Sequence, residues 1–290
     1  MRKPLLLAAL TLVPLVAVGP ATVCAKPKKD DAAKAAGGGK PACGAKALPL
    51  VVGYQWTYNS IAAPLPPPDP IKRISPAQPK AIIITVKSVE SKGGETVATL
   101  EEKVTIDRTR DPKKPEIDEY AYESTITCTD KKFDVSPNSF YFAGEPGGYL
   151  GLEITKLDRL KGTSITLTKG TIGEAQWRED LSFTWKRKPT EGSGAKLGSG
   201  KVELERQFTP QDPEPITTKS GMMYRAEKLG LLTTGRVTLD NPGNPNHKAM
   251  ELPAGWVSTL WLADNVGVVQ ALNSYGHMYQ LIDTTVPAPK

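Results

Sequence analysis

From Leu48 onward, apolar residues recur at every second position, a period that places alternate side chains on one face of an extended strand and does not suit a helix. Tyr54, Trp56 and Tyr58 alternate with Gln55, Thr57 and Asn59. Leu181, Phe183 and Trp185 alternate with Ser182, Thr184 and Lys186. Ala98, Leu100, Val104 and Ile106 share a phase that Glu102 interrupts, and Val202, Leu204 and Phe208 share one that Arg206 interrupts. Turn-forming clusters separate such runs: Lys92-Gly93-Gly94, Asp111-Pro112, Gly144 to Gly148, Lys161-Gly162, Gly192-Ser193-Gly194 and Asn241 to Asn246. Many strands, brief turns and no amphipathic run of three helical turns predict an all-β fold. The expected form is a curved antiparallel sheet making a half-open barrel, with a β-sandwich as the alternative. One β domain is expected over 48–290.

The chain starts with Arg2 and Lys3, an apolar run from Leu5 to Val18, and the exit Val23-Cys24-Ala25. This pattern predicts a signal peptide over 1–25, cut after Ala25, and therefore export to a periplasm or beyond the cell. Lipidation at Cys24 is the less favoured reading, because Val23 stands where a lipobox carries a small residue. No later apolar run approaches the roughly 20 residues of a spanning helix, so no transmembrane span is expected in the mature chain. Residues 26–47 are Lys, Ala and Gly without an aromatic, and read as a flexible tether that cannot offset its own ordering entropy. Pro64 to Pro70 reads as a stiff extended loop.

The chain has 37 basic and 31 acidic residues, a balance that suggests an anionic partner until the charges are located. Residues 1–47 hold eight of the basic residues and two of the acidic ones, leaving 29 of each in 48–290. Nucleic-acid binding rests on clustered cationic surface, so a neutral domain argues against it.

Removal of Cys24 leaves Cys43 and Cys128, and an oxidising compartment permits them to pair. Cys128 is in phase with Tyr120, Tyr122 and Ile126 on the inward face of a strand, whereas Cys43 lies in the loose tract. Two outcomes stay open: a clip between tether and sheet, or an inert buried Cys128 with Cys43 left for an intermolecular bridge.

Pro49-Leu50-Val51-Val52-Gly53-Tyr54-Gln55-Trp56-Thr57-Tyr58 forms a P-L-x-x-G-x-x-W-x-Y pattern. Trp261-Leu262-Ala263-Asp264-Asn265-Val266-Gly267-Val268-Val269 forms a W-x-A-x-x-V-G-x-V pattern, followed by Tyr279-Gln280-Leu281-Ile282. Together these resemble a loose group of uncharacterised bacterial secreted proteins and lipoproteins. The group is similar in architecture to the periplasmic lipoprotein carriers, whose curved antiparallel sheet holds acyl chains. The resemblance implies a fold and a compartment and carries no catalytic residue; it departs at Asn265, where the group more often has Gly. In this segment Gly267 leaves room for a bulge or a close neighbour.

Catalytic patterns are sparse. His247 and His277 belong to no metal-binding spacing. No G-x-S-x-G elbow occurs, and Ser193-Gly194-Ala195-Lys196 matches S-x-x-K without its partner motifs. Asp240 to Asn246 collects oxygen donors, but Pro242 and Pro245 spoil it as a calcium loop. No metal or cofactor is expected. The sequence therefore predicts a non-enzymatic envelope protein that binds an apolar small molecule or lipid in its concavity, with Trp56, Tyr58, Phe183 and Trp185 as candidate cavity residues. The alternatives are a structural module binding an envelope protein partner, and a hydrolase using carboxylates that only spatial separation would reveal.

Overall fold

The computed structural model describes residues 40–64, 76–150, 152–187, 198–240 and 249–287. The expected signal peptide, Cys24, most of the expected tether, Ser193 to Lys196 and Asn241 to His247 lie outside these residues, as does all of Pro64 to Pro70 except Pro64.

The period-two runs form fourteen strands among the described residues. They are β1 (Gln55–Ile61), β2 (Ala81–Lys92), β3 (Glu95–Asp107), β4 (Ile117–Cys128), β5 (Lys132–Val135), β6 (Leu152–Gly162) and β7 (Ile165–Thr168). The rest are β8 (Thr171–Ile172), β9 (Trp177–Arg187), β10 (Ser199–Thr217), β11 (Met223–Asp240), β12 (Met250–Ala263), β13 (Gly267–Asn273) and β14 (Met278–Thr284). All join one antiparallel sheet in the order β6-β9-β10-β11-β12-β13-β14-β1-β2-β3-β4-β5-β7-β8. The sheet is curved and not closed, as expected of the half-open form and not of the β-sandwich alternative.

Register follows the alternation. Trp56 and Tyr58 pair with Ile84 and Ile82 across β2, and Leu100 and Val104 face inward on β3 beside them. The β2–β3 hairpin turns through Gly93 and Gly94, with φ of 62° and 86°, the doubly left-handed turn that glycine favours. Asn265 takes a φ of 61° in the β12–β13 turn, so the departure from Gly is absorbed by a residue tolerated there.

One short helix, α1 (Phe140–Ala143), sits on the concave side of the sheet. Ser139 caps it by accepting the Tyr141 N–H, and Gly144 ends it at a φ of 70°. Its Phe140, Tyr141 and Phe142 are buried and meet the sheet's own rings: Tyr58 to Phe140 at 4.7 Å, Phe140 to Tyr279 at 5.8 Å and Trp56 to Tyr141 at 6.2 Å. Stacks of this kind supply much of a core's buried area.

Residues 40–47 are not loose. Ala45 and Ala47 are fully buried, Lys46 and Ala47 donate to the Gly170 carbonyl at 2.7 and 3.0 Å, and Lys46 accepts from Asn265 N–H at 2.7 Å. Small side chains let this strap pass close under two hairpin turns, one after β7 and one after β12. A Cys43–Cys128 disulfide ties it to the end of β4. Residues 40–47 of the expected 26–47 tether are therefore packed against the sheet.

Candidate functional site

The two polar interruptions of the alternation, Glu102 and Arg206, are both almost wholly buried on the inner face. Glu102 of β3 is fully buried; it accepts from Ser124 Oγ at 2.6 Å, Tyr122 Oη at 2.7 Å and the Phe140 N–H at 3.0 Å. Burial holds its carboxyl above the usual carboxylate range, with these hydrogen bonds pulling the other way. Arg206 of β10 lies between the rings of Phe142, at 3.6 Å, and Phe208, at 4.8 Å. It donates to Glu179 of β9 at 2.7 Å and to the Phe142 carbonyl, and burial lowers it to about 10 against the pull of Glu179. Glu179 also meets Arg159 of β6 and accepts from Ser164 at 3.0 Å.

A third cluster was not legible in advance. Glu145 accepts from Asn273 Nδ2 at 2.5 Å and Tyr279 Oη at 2.9 Å, and lies 3.1 Å from His277 Nδ1. Glu102, Glu145 and Glu179 are each engaged by donors from neighbouring elements. Among the described residues, no group of three or more His, Cys, Asp or Glu side chains is placed to hold a metal ion. No helix there is long and apolar enough to cross a membrane.

The four candidate cavity residues separate into two pairs. Trp56 and Tyr58 are fully buried in the ring cluster, and donate to the carbonyls of Val266 at 2.5 Å and Val268 at 2.8 Å. Phe183 and Trp185 lie on β9, away from that cluster, opposite Leu157 and Ile154 of β6 and Val202 and Gly200 of β10. A Cβ at Gly200 would stand 3.1 Å from the Trp185 ring, so glycine there lets the indole lie over β10.

Beside this second pair the sheet stays open. β6 has a strand partner on its β9 side alone, with two bulges, and β4 meets β5 only over Ile126–Cys128. A cleft of about 890 Å³ separates the two free edges. Tyr120, Tyr122, Ile154 and Leu157 supply its apolar lining, while Glu119, Glu123, Glu153 and Lys156 bring charge to it. The inner apolar row continues across β9 to β12 through Phe183, Trp185, Val202, Leu204, Val237, Ala254 and Trp256.

No family model and no curated protein matches the chain. Two solved structures are similar in fold. One is described as a putative lipoprotein from Parabacteroides distasonis, with 13% identity and a TM-score of 0.43 over 83% of this chain and 98% of that one. The other is described as a putative exported protein with YmcC-like fold from Bacteroides fragilis, with 10% identity and a TM-score of 0.41 over 82% and 97%. Likeness at this level says nothing of activity or ligand.

Proposed function

We propose that this chain is an exported, non-enzymatic envelope protein that carries an apolar, chain-like molecule against the concave face of its sheet. The observation that supports this most is the cleft between β4 and β6, whose volume falls within the range of small-molecule sites. Its lining side chains Tyr120, Tyr122, Ile154 and Leu157 lead onto Phe183 and Trp185. Trp56 and Tyr58 are held by core hydrogen bonds within the ring cluster and are not among the residues that line the cleft. The test is native mass spectrometry, with organic extraction alongside, on residues 26–290 expressed in a periplasm. The expected result is a co-purifying lipid or apolar molecule that a Phe183→Ala, Trp185→Ala variant, still folded by circular dichroism though less stable, loses. An empty chain of the calculated mass would overturn the reading.

A second reading, a protein-interaction module, is favoured by one feature of the outer face. Leu232 and Val257 are direct cross-strand partners there, 46% and 55% exposed. Replacing both with Thr and finding an unchanged set of envelope cross-links would remove its support.

A further inference from the structure

Among the described residues, four buried side-chain atoms make no hydrogen bond: Trp177 Nε1, Arg206 Nε, Thr233 Oγ1 and Ser258 Oγ. Buried polar groups are rarely left this way, because each loses its water without a replacement. Their placement is not scattered. Trp177 pairs with Phe208, Phe208 with Leu231 and Leu231 with Ser258, which makes one row across β9 to β12. Glu179, Arg206, Thr233 and Trp256 make the next row. Arg206 and Thr233 are direct cross-strand neighbours and Ser258 is diagonal to Thr233, spacings of about 5 Å and 7–8 Å, whereas Trp177 lies three strands away from Ser258.

We propose that this strip is a polar subsite within the apolar concavity, and that it receives a neutral carbonyl oxygen, ester or amide, of an acyl-chain ligand. The inference rests on the carrier reading above. The donor set argues for an acceptor: the Arg206 Nε–H can only donate, and the Thr233 and Ser258 hydroxyls next to it can do so. The charge state argues for a neutral one. Arg206 already faces Glu179 at 2.7 Å, and a ligand carboxylate would enter beside that buried anion. The surroundings argue for an acyl chain, since Leu204, Leu231, Ala254 and Trp256 flank the strip and Phe183 and Trp185 extend the apolar row toward the cleft.

The experiment is displacement of the neutral dye N-phenyl-1-naphthylamine by methyl laurate, laurate and tetradecane. It compares the wild type with Thr233→Val/Ser258→Ala, and with Thr233→Ser/Ser258→Thr as the variant that keeps both hydroxyls. In the wild type and the hydroxyl-keeping variant, methyl laurate should displace the dye about tenfold more tightly than tetradecane, with laurate weaker than its ester. In Thr233→Val/Ser258→Ala that preference should shrink to about twofold while tetradecane is unaffected. The melting temperature of this variant should be no lower, because unpartnered hydroxyls are removed. A preference that survives the loss of both hydroxyls, or laurate exceeding its ester, overturns the subsite and leaves the carrier reading standing. A wild type that binds neither dye nor any of the three chains overturns both.

Discussion

The Trp56 indole donates to the Val266 carbonyl at 2.5 Å, joining two sequence patterns that lie at opposite ends of the β domain. Tyr58 repeats the link two residues on, to Val268 at 2.8 Å. Gly267 lies between these acceptors with a φ of 104°, and a Cβ there would stand 2.8 Å from Leu48 and 3.3 Å from the Trp56 ring. Gly267→Ala should therefore cost about 1–3 kcal/mol, from a strained backbone and a crowded contact together. Urea denaturation measures it; a loss below about 0.5 kcal/mol would mean that Leu48 and the indole move aside freely.

Arg206 and Glu179 make a buried pair whose members are 1% and 0% exposed. Removing one partner strands the other, so Glu179→Gln should destabilise by about 3–5 kcal/mol. Glu179→Leu combined with Arg206→Met should lose less than Glu179→Gln alone. Additive losses in the double-mutant cycle would contradict this account of the pair.

The disulfide closes a loop of 85 residues between the strap and β4. Reducing it, or substituting Cys43→Ser and Cys128→Ala, should lower stability by about 4.5 kcal/mol on the chain-entropy model. The urea midpoint should fall on reduction, with both thiols then taking up alkylating agent. An unmoved midpoint with both thiols alkylated would show that the strap's buried alanines and leucines hold it without the bond.

Glu102 is held above the usual carboxylate range by burial. A carboxyl raised on folding favours the protonated native state. Its contribution is fully present below the unfolded value and is lost as pH rises through the folded one. Glu102→Gln removes that dependence, so the variant should gain on the wild type with rising pH. A stability difference that stays flat from acid to neutral pH would show that Glu102 does not titrate above its unfolded value in the fold.

Much of this architecture could be read from the period-two alternation, because a strand's facing depends only on which phase its apolar residues occupy. Glu102 and Arg206 were visible as interruptions of that phase, but their partners were not. Tyr122 and Ser124 reach Glu102 from β4, and Glu179 reaches Arg206 from β9, through register that no local pattern encodes. The α1 turn carries a local signal too short for helical periodicity to reveal, a Ser139 cap followed by three aromatics and Gly144. Residues 40–47 misled by composition: alanine looks unable to bury anything, yet small size is what lets a strap lie under the turns at Gly170 and Asn265. His277 reads as a loop residue until Glu145, 132 positions away, is brought to it.

The pairing of β1 with β14 constrains when this molecule can exist at all. Thr284 Oγ1 donates to the Gln55 carbonyl across 229 positions, and the two strands lie in the middle of the sheet, not at its rim. A chain emerging from its N-terminus has no neighbour for that flank of β1 until nearly all of it is present. Such nonlocal pairing makes closure late and slow. Until then the edge of β1 that carries Trp56 stands without the strand that covers it in the finished sheet.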